Sequence, residues 1–181
     1  MAHESQPILV EIIALVEDDQ AQSPLIALYD KESNRILPIW IGDAEARAIA
    51  ILLNNLSTPR PLTHALLANT IRAMGGQLLR VVIDRLEEHT YYATLYIEQG
   101  GNTVTIDARP SDSIAIALQS RIPLFVEKAI MNIGGQINVF PIPPHIEKQL
   151  GPRKIQLTKQ DVERLSDMLR KAREREQQAG S

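Results

Sequence analysis

No cysteine occurs among the 181 residues of the chain. Disulfides, thiolate metal sites and cysteine nucleophiles are therefore excluded, and a chain built this way suits a reducing cytoplasm. Aromatic residues are scarce, at 4% of the sequence, so its core must be made from Ile, Leu, Val and Ala. Residues 1–15 carry no basic stretch ahead of an apolar run. No apolar run reaches the roughly 20 residues that cross a bilayer, so neither a signal peptide nor a membrane partner is expected. The strict motifs of phosphate-binding loops, dinucleotide folds, zinc proteases and serine hydrolases are missing as well.

Basic charge is also in short supply. The net charge is −3, and it divides unevenly. Up to Pro152 there are 11 Lys/Arg against 17 Asp/Glu; from Arg153 onward there are 8 against 5. Tight nucleic-acid binding draws most of its affinity from neutralised phosphates, and the acidic body does not advertise such a surface. Transient binding by a catalyst needs only a few local Arg and Lys.

What is present is an internal echo. A shift of 67 positions lays Leu28-Tyr29 on Leu95-Tyr96, Glu45 on Asp112, and Ala48-Ile49-Ala50 on Ala115-Ile116-Ala117. Each copy reads as strands, a turn, an acidic residue and an apolar helix. The expected fold class is α+β, with duplicated β-β-β-α units, antiparallel hairpins and buried helices, followed by a C-terminal amphipathic helix.

In the first copy, residues 7–17 are apolar and β-branched and read as a strand, and residues 24–29 and 35–41 flank a polar turn as a hairpin. Residues 43–55 have helical spacing. Thr63 is placed to cap the next helix, which runs to about Met74 and stops at Gly75-Gly76. In the second copy, residues 77–86 read as a strand, and residues 91–98 and 103–108 flank Gln-Gly-Gly-Asn, a hairpin signal. Pro110 suits the first position of a helix over residues 111–120, apolar enough to be deeply buried. The divisions expected are a domain over 1–140, a proline-rich hinge over 141–152, and a charged helix and tail over 153–181 with Val162, Leu165 and Leu169 on one stripe.

Two polar clusters carry chemistry. Arg60, Thr63 and His64 sit at a helix entrance, where free N–H groups attract phosphate and His64 can move a proton near neutral pH. The structural reading of the same residues is a cap and an exposed first turn. Asp107, Arg109, Ser111 and Asp112 sit where a strand turns into a helix. They are either an arginine-clamped turn or a phosphate site, with Asp107 and Asp112 able to hold Mg²⁺ or Mn²⁺ and Arg109 able to offset charge on phosphate. Glu45 is the first-copy counterpart of Asp112, favoured by the helix dipole in either reading.

At these residues the chain resembles the bifunctional nuclease family of bacteria and plants. The similar segments are Leu37-Pro38-Ile39-Trp40-Ile41-Gly42, Glu45-Ala46, Arg60-Pro61-Leu62-Thr63-His64, Tyr91-Tyr92-Ala93 and Asp107-Ala108-Arg109-Pro110-Ser111-Asp112-Ser113-Ile114-Ala115. Glu88-His89-Thr90 stands where the family pattern has an Asp-Gly-Thr turn, a departure expected to touch no site. The resemblance implies a nuclease acting on RNA and DNA, an α+β fold and assembly into a homodimer or larger. It carries over no catalytic set. The chemistry of the residues assigns Glu45, His64, Asp107 and Asp112 as catalytic or metal-binding groups, and Arg60, Thr63, Arg109 and Ser111 as substrate-binding groups. The competing expectation is a non-catalytic regulatory or scaffold module that binds a small anion or a protein.

Overall fold

The β-branched runs become strands and the Ala/Ile-rich runs become helices, as their periodicities dictate. The computed structural model describes residues 6–18 and 23–137. Its strands and helices follow the chain as β1 (Ile8–Leu9), β2 (Glu11–Asp18), β3 (Ser23–Asp30), β4 (Arg35–Trp40), α1 (Asp43–Leu53), α2 (Thr63–Ala73), β5 (Gln77–Glu87), β6 (Thr90–Gln99), β7 (Asn102–Ala108), α3 (Pro110–Ser120), β8 (Leu124–Val126), α4 (Lys128–Gly134) and β9 (Gln136–Ile137). This is an α+β fold. The order β-β-β-α occurs twice, as β2-β3-β4-α1 and as β5-β6-β7-α3. A shift of 67 carries the bounds of α1 onto those of α3.

The strands form two sheets, ordered β1-β8-β5-β6-β7 and β2-β3-β4-β9. Pairing is antiparallel except between β5 and β8, which run parallel. The hairpins lie where the turn residues put them. Gly100 and Gly101 both have positive φ, 59° and 82°, which closes the two-residue β6–β7 loop that a right-handed strand twist favours. The stretch read as one strand over 7–17 divides at Val10, whose N–H donates to Leu124 O at 3.0 Å. As a result β1 joins one sheet and β2 the other.

One apolar core holds both sheets together, with Leu28 and Leu37 from one, Val81 and Leu95 from the other, and Ile114 and Ile116 from α3. Helix α3 is buried along most of its length, as its composition demands, whereas α1 buries only Ala46 and Ile49. The two helices pack on each other, and α2 packs on α3 and β5. Thr63 does not cap α2: Leu62 is the N-cap residue, and Thr63 is the first helical residue. The expected hinge and C-terminal helix lie outside the described residues.

Candidate functional site

Glu45 and Asp112 each occupy the third position of their helix, since α1 starts at Asp43 and α3 at Pro110. Carboxylates are favoured there by the free N–H groups and the positive end of the helix. The carboxylate of Glu45 folds back over Gly42, where any Cβ would collide with it. Packing of α1 on α3 brings the two acids to one guanidinium. Arg109, the N-cap residue of α3, donates from Nη1 to Glu45 Oε1 at 2.9 Å, from Nε to Asp112 Oδ2 at 2.7 Å and from Nη2 to Asp112 Oδ1 at 3.2 Å. From α2, His64 Nε2 reaches the same Asp112 Oδ1 at 3.1 Å.

The cluster is graded in exposure. The side chain of Arg109 is 66% exposed, while that of His64 is 15% exposed. Burial pushes the Asp112 carboxyl up, but the hydrogen bonds from Arg109 and His64, with their charges, outweigh it and hold it below the ordinary carboxylate value. Arg109 is pushed up, first by its hydrogen bond with Asp112 and then by the charges of Asp112 and Glu45. Of the five N–H donors on its guanidinium, these contacts occupy three among the described residues. The net charge of Glu45, Arg109, Asp112 and His64 is −1 with His64 neutral and zero with His64 protonated.

An open cleft of about 440 Å³ adjoins the cluster, lined by Trp40, Gly42, Glu45, His89, Arg109 and Ser111 among others. Ser111 is itself buried, at 7% exposure. A second hollow, of about 480 Å³, lies beside Arg72, Gln77 and Ser120 at the far end of α2. Its lining contains no carboxylate or histidine, whereas Glu45, His89 and Arg109 line the first. The Glu88-His89-Thr90 turn, expected to touch no site, lies against this cleft, with His89 and Thr90 among its lining residues. Glu88 and His89 both adopt positive φ, 48° and 63°, and this hairpin brings His89 to the lining of the cleft. The signal in the sequence was the missing glycine at a turn that calls for one.

Not every expected residue joins the cluster. Asp107 binds Arg85 Nη2 at 2.7 Å, and Arg85 stacks over the Tyr92 ring at 4.7 Å. Strand alternation explains this. Asp107 pairs across from Thr94, on the face opposite the buried Ala93 and Leu95, and Arg85 occupies that outer face. Asp107 and Asp112 thus belong to separate ion pairs, and among the described residues no three His, Asp or Glu side chains gather as a metal-ligand set. Arg60 is exposed in the loop before α2, where its carbonyl accepts the Thr58 hydroxyl at 2.8 Å. Its guanidinium makes no hydrogen bond or ion pair among the described residues. Thr63 is exposed on the first turn of α2.

The profile of the bifunctional nuclease domain matches residues 26–138, which takes in all four clustered side chains and the cleft. An uncharacterized protein of Mycobacterium tuberculosis is 39% identical over 126 residues, covering 70% of this chain and 75% of that protein. Bifunctional nuclease 1 of Oryza sativa subsp. japonica is 26% identical over 149 residues, 81% of this chain but 44% of the rice protein. Bifunctional nuclease 1 of Arabidopsis thaliana is 28% identical over 114 residues, 61% of this chain and 35% of the plant protein. The chain therefore spans less than half the length of these plant relatives.

Proposed function

The chain belongs to the bifunctional nuclease domain family, and from that premise we propose that it hydrolyses the phosphodiester bonds of RNA and DNA at the Glu45–Arg109–Asp112–His64 cluster. The observation that carries the reading is Arg109, an exposed guanidinium held by two carboxylates at the rim of an open cleft, with a histidine on the same network.

The two guanidinium N–H donors left over bind non-bridging phosphate oxygens and offset the negative charge that grows on them. Asp112 holds Nε2 of His64, which leaves Nδ1 for the leaving oxygen. A water oxygen attacks phosphorus while Glu45 takes the water proton. The bond from phosphorus to the leaving oxygen breaks, and protonated His64 supplies a proton to that oxygen. No 2′-hydroxyl enters the scheme, so RNA and DNA are both substrates. Protonation of His64 also brings the cluster from −1 to zero, which admits an anionic substrate. Mg²⁺ or Mn²⁺ remains a proposed cofactor. As arranged, both oxygens of Asp112 are engaged by Arg109 and His64, so a metal at Asp112 would have to displace one of these partners. The proposed setting is the cytoplasm, with transient nucleic-acid binding by a homo-oligomer.

A second reading has one observation in its favour. The Arg109–carboxylate pairs are closed contacts, as in a turn clamp on a non-catalytic module that binds a small anion or a protein. A gel assay on single-stranded RNA and DNA, with Mg²⁺, with Mn²⁺ and with chelator, decides between them. Cleavage that falls about 10²- to 10⁴-fold in His64→Ala and Asp112→Ala supports the nuclease. Cleavage unchanged in both variants comes from a contaminant and sinks it; anion binding without cleavage favours the second reading.

A further inference from the structure

Strand β7 is one edge of the five-stranded sheet, with β6 on one side and no strand on the other among the described residues. Six of its seven residues are exposed. Open edges of this kind are ordinarily protected by short length, a bulge, a proline or a lysine. The opposite edge, β1, has two residues. Strand β2, an edge of the other sheet, carries a bulge between Ile12 and Ala14 and begins with Glu11. Strand β7 has seven residues and no bulge, proline or lysine, and its one charge, Asp107, is paired with Arg85. It reads Asn-Thr-Val-Thr-Ile-Asp-Ala, with four β-branched residues in succession, and its register with β6 is unbroken.

The backbone phase of this edge follows from the hairpin. Gln99 and Asn102 close the two-residue turn as a hydrogen-bonded pair, so Asn102, Val104, Ile106 and Ala108 direct their backbone groups to β6. Thr103, Thr105 and Asp107 direct theirs outward. Val104 and Ile106 lie across from Ile97 and Leu95, on the core-facing side of the sheet. Those partners are buried, yet Val104 and Ile106 remain 41% and 44% exposed. The core-facing surface therefore continues past the layer that covers β6.

We propose that β7 is the interface through which two copies of this chain associate, pairing antiparallel with its own copy about Thr105. This register matches Thr105 with Thr105, whose outward backbone groups exchange hydrogen bonds. Val104 then faces Ile106 of the second copy, at a pair where side chains approach most closely. Both exposed apolar side chains acquire apolar partners. Asp107 falls opposite Thr103, so no like charges meet. A shift of the register by two residues, which moves the two-fold to Val104 or to Ile106, sets Ile106 against Asn102 or Val104 against Ala108 instead. The two sheets become one, and the two Arg109 clusters lie at opposite ends of the junction, about 27 Å apart at roughly 3.4 Å per residue. The inference does not depend on the nuclease reading.

Sedimentation of the full chain and of Thr105→Pro is the test. The Thr105 N–H points away from β6, so proline there spares the hairpin and removes an intermolecular bond. The expected result is a wild-type dimer and a Thr105→Pro monomer with unchanged circular dichroism. The chain lacks cysteine, so engineered thiols report the register without background. A mixture of Val104→Cys and Ile106→Cys chains should cross-link under oxidation, and each variant alone should not. A monomeric wild type, a Thr105→Pro variant that stays dimeric, a mixture that fails to cross-link, or efficient cross-linking of Val104→Cys by itself would each overturn the proposal.

Discussion

At the start of α1, Gly42 and Glu45 form a matched pair. Gly42 has φ −78° and ψ 162°, a conformation any residue adopts, so its small size is needed for space and not for backbone freedom. The space is filled by the Glu45 carboxylate. Gly42→Ala should leave the helix intact and drive Glu45 off Arg109. Unfolding free energy should stay within about 0.5 kcal/mol of wild type. Cleavage should fall as far as in Glu45→Gln, about 10²-fold or more if Glu45 is the base. Equal cleavage by Gly42→Ala and wild type would remove Glu45 from the mechanism. Asp112 makes a separate, pH-dependent prediction. Its carboxyl is held below the ordinary value by Arg109 and His64 against the opposing effect of burial. The stabilisation is thus complete above the unfolded value of about 3.9 and is lost as the pH falls through the lower folded value. Urea titrations of wild type and Asp112→Asn should differ by a constant amount from neutrality to about pH 4 and converge below it. A gap that closes already between pH 7 and 5 would contradict the depressed value.

Among the elements, the β5–β6 turn is where sequence and geometry conflict. Two non-glycine residues, Glu88 and His89, sit at positive φ, which costs about 1–2 kcal/mol for each. His89→Gly should raise the melting temperature by a few degrees, about 2–4 °C per kcal/mol for a domain of this size. The same change removes the imidazole from the cleft, so calorimetry and cleavage should move in opposite directions. A variant that is more stable and equally active would mark His89 as a bystander. This turn also shows how far the elements could be read from sequence. Gly100-Gly101 and the Ala/Ile-rich stretch of α3 announced themselves, because turn chemistry and helical spacing are local. The parallel pairing of β8 with β5 was invisible, because it rests on contact between residues some 40 positions apart, such as Val81 and Leu124. Helix α4 has only seven residues, too few for a periodic signal. In the site, Glu45, His64, Arg109 and Asp112 were legible as candidates, since helix entrances select such residues. Asp107 looked equivalent to them in sequence. Strand alternation put it on the outer face with Arg85, and no spacing rule in one dimension specifies the cross-strand partner.

For the whole molecule, charge bears on how the proposed nuclease activity meets its substrate. The chain is net acidic, and up to Pro152 acids outnumber bases by 17 to 11. The helices of the two β-β-β-α runs meet at Arg109, and its charge is already shared with Glu45 and Asp112. Arg60, on the loop that leads to His64, is a further exposed cation. The proposed mechanism engages substrate through one or two phosphates, at Arg109 and Arg60, rather than along a basic track. Each neutralised phosphate of a single strand contributes a slope of about −0.7 to the plot of log affinity against log salt, so two contacts predict about −1.4. Measured from low to physiological NaCl on a single-stranded oligonucleotide, apparent affinity should follow that shallow line. Arg60→Ala should flatten it by about 0.7. A slope several times steeper would mean that the 8 bases beyond Pro152 carry the binding and that the cleft alone does not. The shallow slope also fits a catalyst, because a product held at few phosphates leaves quickly. In the proposed mechanism, binding energy is then reserved for the moment when negative charge builds on the phosphoryl oxygens beside Arg109, where it lowers the barrier instead of deepening the ground state.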